Sequence, residues 1–429
     1  MDKEIKEHIA AIDSGIIPEG YKKTKVGIVP VEWEECHFKK MFSRLKRKNT
    51  ENNTNVLTIS AQYGPINQEE FFNKSVASDD KSNYYLLYKG DFAYNKSYSN
   101  GYPFGAIKAL EKYEKGVVSP LYICFSPTVE NKCPDYYLQY FESGNMNREI
   151  QAIAQEGARN HGLLNIGIDD FFNSYLVVPP LPEQQKIAEI LSTQDKLIEL
   201  QEKKIEQLKE LKKAYLQKMF PKKGSKYPEL RFKGFTDPWE QRKLDTLVEF
   251  YSGLTYKPED VTENGTLVLR SSNVKNSEVV LTDNVYVDES VVNSENVKKD
   301  DIIVVVRNGS KALIGKHAKI RHSMPNTVIG AFMTGIRSDS PDFINALLST
   351  DTFDKEIKMN MGATINQITG YMFANMEFMT PSFQERQAVG SFFSRLDDLI
   401  TLHQRKLEQE KQKKKALMQL LLTGIVRTK

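Results

Sequence analysis

Four short clusters in this sequence combine basic side chains with amides, hydroxyls or tyrosines, and a fifth stretch, Ser60–Gln62, adds a hydroxyl and an amide. Arginine can donate two hydrogen bonds to guanine, asparagine and glutamine can pair with adenine, and lysine or serine can hold phosphates. The clusters therefore indicate contacts with the bases and phosphates of a nucleic acid. The candidate contact residues are Arg44, Lys46, Arg47, Lys48, Ser60, Gln62, Tyr94, Asn95, Lys96 and Tyr98 in the first half of the chain, and Arg270, Ser272, Asn273, Lys275, Arg307, Asn308, Ser310 and Lys311 in the second.

Motifs for catalysis are weaker. Pro341-Asp342 followed by Glu356–Lys358 matches a loose pattern of metal-dependent nucleases, in which carboxylates and a lysine hold Mg²⁺ and a water. Proline and an acid are also ordinary signals for the start of a helix, and Pro134-Asp135 stands in the corresponding place without the lysine pattern. Gly309–His317 differs from a phosphate-binding loop in its spacing and in its last residue. We therefore expect no catalytic residue and no metal site in this chain.

The composition is that of an ordinary water-soluble protein, with 40% hydrophobic and 27% charged residues among 429 and a formal net charge of +3. This length suggests two or three domains, and the weak charge balance means that any basic surface must be local. The longest apolar run, Ile302–Val306, is too short to span a membrane, and the charged N-terminus lacks a signal-peptide core. Three scattered cysteines disfavour a disulfide framework. We expect a cytoplasmic protein without a membrane partner.

The elements that position the clusters are organised around one long helix, predicted at Glu183–Phe220. Pro182 and Pro221 bound it, and good helix formers fill it without an internal Gly or Pro. At 1.5 Å per residue the helix would be roughly 55 Å long. Its apolar residues recur at intervals of three and four, which is typical of a coiled-coil seam. The seam residues are Ile187, Leu191, Ile198, Ile205 and Leu208.

A second copy of this helix is predicted 202 positions later, at Glu385–Leu422. The matched residues include Glu183 with Glu385, Asp195 with Asp397, and Lys212 with Lys414. The second seam consists of Val389, Phe393, Leu396, Ile400 and Leu407. His403 also falls on this seam, where a polar residue can set the register. Two such copies predict an antiparallel pair of helices with a globular unit at each end.

Each globular unit is predicted to be a small α+β domain with the same order of elements. Strands are expected at Val56–Ile59, Tyr84–Tyr88, Phe92–Tyr94 and Val117–Phe125 in the first unit, and at Thr266–Leu269, Val279–Val287, Asp301–Val306 and Ala331–Ile336 in the second. The candidate clusters follow matching strands, and local chemistry aligns Ala93–Lys96 with Val306–Gly309.

The predicted fold is therefore α+β, with two globular recognition domains separated by two long helices in an antiparallel coiled coil. The whole chain forms a pseudo-two-fold internal repeat. The expected segments are a lead-in and first domain at 1–180, a first spacer helix at 181–222, a lead-in and second domain at 223–380, and a second spacer helix at 381–424.

This doubled order resembles the specificity subunit of type I restriction-modification systems. The residues that carry the resemblance are Pro179–Gln185 at the start of the first long helix, its weaker copy Thr380–Arg386, the lead-ins Gly20–Trp33 and Arg231–Glu240, and the final Leu421–Gly424. The resemblance implies a chain that reads a bipartite, asymmetric double-stranded DNA target, with one half-site per domain. It also implies helices that dock two methyltransferase subunits, together with separate restriction subunits. S-adenosylmethionine, ATP and Mg²⁺ would then bind to those partners and not to this chain.

Two other interpretations remain open from the sequence. A two-domain coiled-coil scaffold would bind protein partners without DNA, which the weak charge balance favours slightly. A self-contained nuclease or fused restriction-modification enzyme would need cofactor motifs that the sequence does not offer. Because phosphate contacts make binding fall steeply with salt, salt dependence separates DNA binding from the scaffold.

Overall fold

The computed structural model describes residues 3–73, 80–128, 133–154, 162–361 and 366–428. The chain divides into two compact units: unit 1 comprises residues 1–200 and 406–429, and unit 2 comprises residues 201–405. Each of the two long helices therefore contributes one segment to each unit.

Helices and strands alternate in both units. The α-helices are α1 (Lys3–Asp13), α2 (Phe38–Met41), α3 (Gln68–Phe72), α4 (Pro134–Glu142), α5 (Asn147–Ile153), α6 (Ile168–Asn173), α7 (Leu181–Met219), α8 (Pro341–Leu347), α9 (Asp351–Asn360), α10 (Gly370–Ala374) and α11 (Phe383–Leu421). The strands of unit 1 are β1 (Tyr21–Lys23), β2 (Ile28–Pro30), β3 (Glu34–His37), β4 (Phe42–Arg44), β5 (Leu57–Ser60), β6 (Gly64–Asn67), β7 (Tyr85–Tyr88), β8 (Phe92–Asn95), β9 (Ala106–Ala109), β10 (Lys115–Val118), β11 (Ile123–Pro127) and β12 (Tyr175–Val178). The strands of unit 2 are β13 (Glu240–Lys243), β14 (Glu249–Ser252), β15 (Val261–Thr262), β16 (Thr266–Leu269), β17 (Val274–Lys275), β18 (Glu278–Val279), β19 (Val285–Val287), β20 (Ile302–Val305), β21 (His317–Lys319), β22 (Thr327–Ile329), β23 (Met333–Arg337) and β24 (Glu377–Thr380).

Each unit contains a four-stranded antiparallel sheet with the same order of equivalent strands, and unit 2 has a further four-stranded sheet in the order β15-β19-β16-β22. Unit 1 has a four-stranded antiparallel sheet in the order β4-β11-β8-β9, and unit 2 has one in the order β14-β23-β20-β21. In each unit the strand after the lead-in pairs with the strand just before a long helix, as β3 with β12 and β13 with β24. The internal repeat predicted from the helices therefore extends through both globular units.

Two predicted strands are each divided in two. Val117–Phe125 separates into β10 and β11, because Pro120 has no N–H to donate to a ladder. Val279–Val287 separates into β18 and β19, with Asp283 between them at a φ of 59°. That left-handed conformation breaks the extended backbone that a strand needs.

Each core packs against segments of both long helices. The unit 1 core joins an aromatic cluster around Phe38 and Phe125 to Ile187 and Leu191 of α7 and to Leu421 of α11. The Phe38 and Phe125 ring centroids lie 4.9 Å apart, edge to face. Such packing adds about 0.5–1.5 kcal/mol per aromatic pair beyond area burial. The helices are therefore built into the domains and do not merely connect them.

The unit 2 core repeats this arrangement. Its buried Phe343 and Phe353 share one cluster with Met219 of α7 and with Val389 and Phe393 of α11. Phe343 lies with its ring centroid 5.6 Å from that of Phe220, directly after α7. Both ends of each long helix thus contribute apolar residues to a domain core.

The two helices pair antiparallel within each unit. In unit 2, Gln201 contacts His403 and Lys212 contacts Asp397, so position numbers rise on one helix as they fall on the other. The Lys212–Asp397 pair, at 2.6 Å, recurs in unit 1 as Lys414–Asp195 at the same distance. Of the predicted seam residues, those that lie buried are Ile187, Leu191, Ile205, Leu208, Val389, Phe393 and Ile400, and those that are half-buried are Ile198, Leu396 and Leu407.

A buried glutamate opens each long helix. Glu183 accepts hydrogen bonds from Trp33 Nε1 at 3.0 Å and from the Arg427 guanidinium at 2.8 and 2.9 Å. Its counterpart Glu385 accepts two bonds of 2.8 Å from Arg231. Among the described residues, the buried Nε1 of Trp239 has no partner. Both carboxylates are thus held by an arginine that follows the end of the other long helix, but only the first is also held by a tryptophan.

Candidate nucleic-acid interface

A buried aspartate precedes β8 in unit 1 and β20 in unit 2, which are equivalent inner strands of the two matching sheets. These residues are Asp91 and Asp301. Both carboxylates accept a hydrogen bond from the backbone N–H three residues earlier and bind an arginine. The donors are the Tyr88 N–H and Arg47 for Asp91, and the Lys298 N–H and Arg337 for Asp301. The two inner strands therefore begin at equivalent points of the fold.

In unit 1, the loop that leaves β8 pairs with the segment just before α6. The Leu164 N–H donates to the Lys96 carbonyl at 3.0 Å, and the Tyr98 N–H donates to the Gly162 carbonyl at 2.7 Å. Ser97 and Leu163 face each other in an antiparallel bridge between these bonds. The candidate residues Lys96 and Tyr98 are thus held by backbone hydrogen bonds, and the Tyr98 side chain remains 63% exposed.

Unit 2 repeats this contact between the loop after β20 and the segment before α10. The Ile368 N–H donates to the Val306 carbonyl at 2.9 Å, and the Asn308 N–H donates to the Asn366 carbonyl at 3.3 Å. Arg307 and Gln367 face each other in the bridge between them. We call each of these two paired segments a loop clamp: residues 96–98 with 162–164 in unit 1, and residues 306–308 with 366–368 in unit 2.

The loop clamps correct the alignment made from local chemistry. Counting from Asp91 and Asp301, Ser97 occupies the place of Arg307 and Tyr98 occupies the place of Asn308. The sequence-based match of Ala93–Lys96 with Val306–Gly309 is therefore wrong by three residues. The buried aspartate and the backbone bridge give the same register independently. The matched positions thus carry different side chains in the two units.

Asn95 and Asn308 stabilise the loops with their side-chain amides. Asn95 Oδ1 accepts from the Ser97 N–H, and Asn308 Oδ1 accepts from the Ser310 N–H, both at 3.0 Å. Each Nδ2 reaches a neighbouring strand exit, at the Ile59 carbonyl for Asn95 and at Ser271 Oγ for Asn308. Such turns are a frequent use of asparagine. These two candidates position the loops of the interface, and their amides are engaged within the protein.

Arg307 stands out among the candidates of unit 2. Its side chain is exposed, its guanidinium carbon lies 5.0 Å from the centroid of the Phe332 ring, and the described residues include no carboxylate partner for it. Arg270, by contrast, is held by Asp283 at 2.8 Å. Arg307 therefore has its hydrogen-bond donors available for a ligand, with Phe332, 52% exposed, beneath it.

The other candidates of unit 2 occupy varied positions. Lys275 lies exposed in the β17–β18 hairpin, and Ser310 and Lys311 are exposed after the loop clamp. Ser272 is half-buried in the short turn that follows β16. Asn273 is fully buried, its amide donating to the carbonyl groups of Val280 and Thr282. The prediction that Asn273 contacts DNA is therefore wrong, because a side chain with no exposed surface cannot reach the bases.

Most of the candidates of unit 1 are exposed, but the prediction that Tyr94 contacts DNA is wrong. The exposed residues are Arg44, Lys46, Arg47, Lys48 and Gln62. Arg44 and Lys96 line one small cavity, whereas Ser60 accepts the Tyr63 N–H in the β5–β6 turn. Tyr94 has no exposed surface, donates its hydroxyl to the Phe104 carbonyl at 2.8 Å, and stacks on Phe171. Burial raises the pKa of Tyr94, and this residue belongs to the core.

Three residues that contact the candidate loops were not among the sequence-based candidates: Leu163, Phe332 and Gln367. Leu163 and Gln367 lie far along the chain from the loops they contact, so no local pattern joins them. Phe332 precedes a strand, where an aromatic residue looks like a core residue. The one available signal was the position of Leu163 and Gln367, each shortly before the final strand and long helix of a unit.

The nuclease-like pattern does not form a site in the described residues. Asp342 forms an ion pair with Lys319, while Glu356 and Lys358 lie on helix α9. In the described parts of the chain, no group of three or more His, Cys, Asp or Glu side chains is arranged to hold a metal ion. Nor does any helix of those parts combine the length and apolar character of a membrane span.

Fold and interface together define a two-domain recognition protein whose repeated frame presents different exposed side chains at matched positions. The family described as the type I restriction modification DNA specificity domain matches residues 30–210 and 236–412. Because this match covers both units, the chain belongs to that family of non-catalytic specificity subunits. The predicted family and fold class are confirmed, and the scaffold alternative is not favoured.

Named relatives agree with this assignment. The type I restriction enzyme MjaVIII specificity subunit of Methanocaldococcus jannaschii is 27% identical over 290 residues, covering 65% of this chain and 68% of the relative. The StySPI specificity subunit of Salmonella potsdam is 26% identical over 197 residues, covering 44% of this chain and 42% of the relative. The crystal structure of the type I restriction-modification S subunit from M. genitalium has the same fold, with a TM-score of 0.56, 16% identity, and coverage of 91% of this chain and 96% of that one.

Proposed function

We propose that this chain reads a bipartite, asymmetric double-stranded DNA target, with one half-site contacted by each unit. The observation that supports this most directly is the pair of loop clamps, in which the backbone frame repeats while the exposed side chains differ. Two identical units would favour a palindrome, as in symmetric dimers. Divergent units favour two unrelated half-sites, and the paired helices would set the gap between them.

The chemistry in this proposal belongs to partner subunits. Two methyltransferase subunits dock on the regions of the long helices, bind S-adenosylmethionine and methylate adenine. Separate restriction subunits use ATP and Mg²⁺ to translocate and cut DNA. This chain directs both outcomes by choosing the sequence. Membership of the specificity-subunit family supports this division of labour.

The test is selection from a randomised pool of DNA duplexes, using the chain co-expressed with its methyltransferase subunit. The expected result is two short, unrelated motifs separated by one fixed gap. A single palindrome would contradict the assignment of one half-site to each unit. No enrichment from a folded, stoichiometric complex would instead favour the scaffold interpretation.

Salt dependence provides an independent check on the same complex. Each phosphate contact releases counterions, so the logarithm of the binding constant should fall linearly with the logarithm of salt concentration. Six to ten contacts would reduce affinity about 10³- to 10⁵-fold between 50 and 200 mM salt. A flat profile would contradict binding through phosphates.

A further inference from the structure

Arg307 has no carboxylate partner among the described residues, whereas several other arginines of unit 2 are held in ion pairs. Arg231 is bound by Glu385, Arg321 by Asp398 and Arg337 by Asp301. Among the described residues, the Arg307 guanidinium contacts the ring of Phe332, whose centroid lies 5.0 Å from the guanidinium carbon. The planar guanidinium of an arginine presents its N–H donors in a rigid fork that matches a flat pair of acceptors. Guanine presents two such acceptors, O6 and N7, in the major groove.

Gln367 lies directly opposite Arg307 in the antiparallel bridge. Residues opposite each other in such a bridge project to the same face, with Cβ atoms about 4.5–5.5 Å apart. The Gln367 amide is half-buried and has no described hydrogen-bond partner. Glutamine pairs with the N6 and N7 edge of adenine. Since base pairs are spaced about 3.4 Å apart along a strand, the two side chains are suitably spaced for neighbouring base pairs.

We propose that Arg307 and Gln367 together read adjacent base pairs in the half-site of unit 2, with Phe332 orienting the arginine. This proposal rests on the DNA-reading function proposed above and assigns it to particular atoms. Arg307 contacts a guanine and Gln367 contacts a neighbouring adenine. Phe332 and Asn308 are positioning residues, because they act through the loop and not on the base.

Unit 1 presents a different pair at the same place. Ser97 and Leu163 face each other in its loop clamp, and Leu163 is 38% exposed. An apolar side chain can contact the methyl group of thymine, and serine discriminates weakly between bases. The two loop clamps thus favour different bases although their backbones are alike, as an asymmetric target requires.

The test uses three variants in the complete complex with its methyltransferase subunits, each put through the randomised-duplex selection. Arg307→Lys keeps the charge but loses the fork of donors, and Gln367→Ala removes the amide. Each should lower the preference for the correct base about 5- to 150-fold, at one position of one half-site. The two affected positions should be adjacent, and the other half-site should keep its motif. Arg321→Lys, an arginine held by carboxylates in the same unit, is the matched control and should change neither half-site.

The possible outcomes separate this proposal from the function on which it rests. If the wild-type complex selects a two-part motif and Arg307→Lys leaves it unchanged, the residue assignment is wrong while the function stands. Equal relaxation of both half-sites, or changes at distant positions for the two variants, would also overturn the assignment. If the wild-type complex selects no motif, both proposals fail. Phe332→Leu gives a further check, since it should weaken only the base preference lost in Arg307→Lys.

Discussion

The two tryptophans of the chain provide a matched pair of perturbations. Trp33 and Trp239 are each 1% exposed. Trp33 lies directly before β3, and Trp239 lies directly before β13. Trp33 donates its indole N–H to the buried Glu183 at 3.0 Å. The indole N–H of Trp239 has no partner among the described residues. Replacing each residue by phenylalanine removes the same atoms but only one hydrogen bond.

The expected difference follows from these contacts. Trp33→Phe loses a hydrogen bond to a charged group, which contributes about 1.5–3 kcal/mol. Trp239→Phe removes a buried donor that is unsatisfied, and such a donor itself costs about 1–3 kcal/mol. The loss of ring volume is common to both variants and cancels in the comparison. Trp33→Phe should therefore destabilise unit 1 by about 2.5–6 kcal/mol more than Trp239→Phe destabilises unit 2.

Hydrogen exchange followed by mass spectrometry can measure this, because it reports the opening free energy of each unit separately. The strand pairs β3–β12 and β13–β24 are the matched reporters, since each begins next to its tryptophan. The lower end of this range, about 2.5 kcal/mol, corresponds to about 70-fold faster exchange. Equal losses of protection in the two variants, or a larger loss in unit 2, would refute the reasoning from the hydrogen bonds.

Three further predictions concern the same helices and cores. Arg231→Met should cost about 3–5 kcal/mol in the unfolding of unit 2, because it leaves the buried Glu385 without its partner; denaturant unfolding that shows a loss below 1 kcal/mol would contradict this. Burial lowers the pKa of His317 to about 4 from an ordinary value of 6.5. Because the neutral imidazole is favoured in the folded state, the free energy of unfolding of unit 2 should fall by up to about 3 kcal/mol as the pH falls from 6.5 to 4. That loss should shrink in His317→Gln, and equal pH profiles of stability for the two proteins would exclude the histidine as its source. Inserting four residues after Leu208 and four more in the opposite helix after Ile400 lengthens the helix pair by about 6 Å. The selected gap between half-sites should then widen by about two base pairs. An unchanged gap would show that the helices do not set it.

The long helices could be predicted almost completely from the sequence. Expected at Glu183–Phe220 and Glu385–Leu422, they are found at Leu181–Met219 and Phe383–Leu421. Helix formation depends on nearby residues, whose propensities and spacing are visible in one stretch of sequence. The 202-residue offset then identified matched residues such as Asp195 and Asp397, which form equivalent ion pairs.

The interface could be predicted only in part, because its geometry depends on contacts between distant segments. The register error arose at Asn95 and Asn308, which make the same kind of turn in both units but lie at different distances from the buried aspartates. Tyr94 looked like a binding residue because polar residues follow it. It is the third residue of β8, and side chains alternate between the two faces of a strand, so Tyr94 points into the core.

The loop clamps show how one backbone frame can carry two different sets of side chains. The hydrogen bonds that hold each clamp, such as Tyr98 to Gly162 and Asn308 to Asn366, join backbone atoms. Backbone hydrogen bonds can form with many different side chains. Replacing one of the two facing residues of a loop clamp therefore need not disturb its backbone. The same pair of facing positions is occupied by Ser97 and Leu163 in unit 1 and by Arg307 and Gln367 in unit 2. If the facing residues read DNA as proposed, changes at these positions would give new half-sites, while the buried aspartates, glutamates and helix seams keep the fold constant.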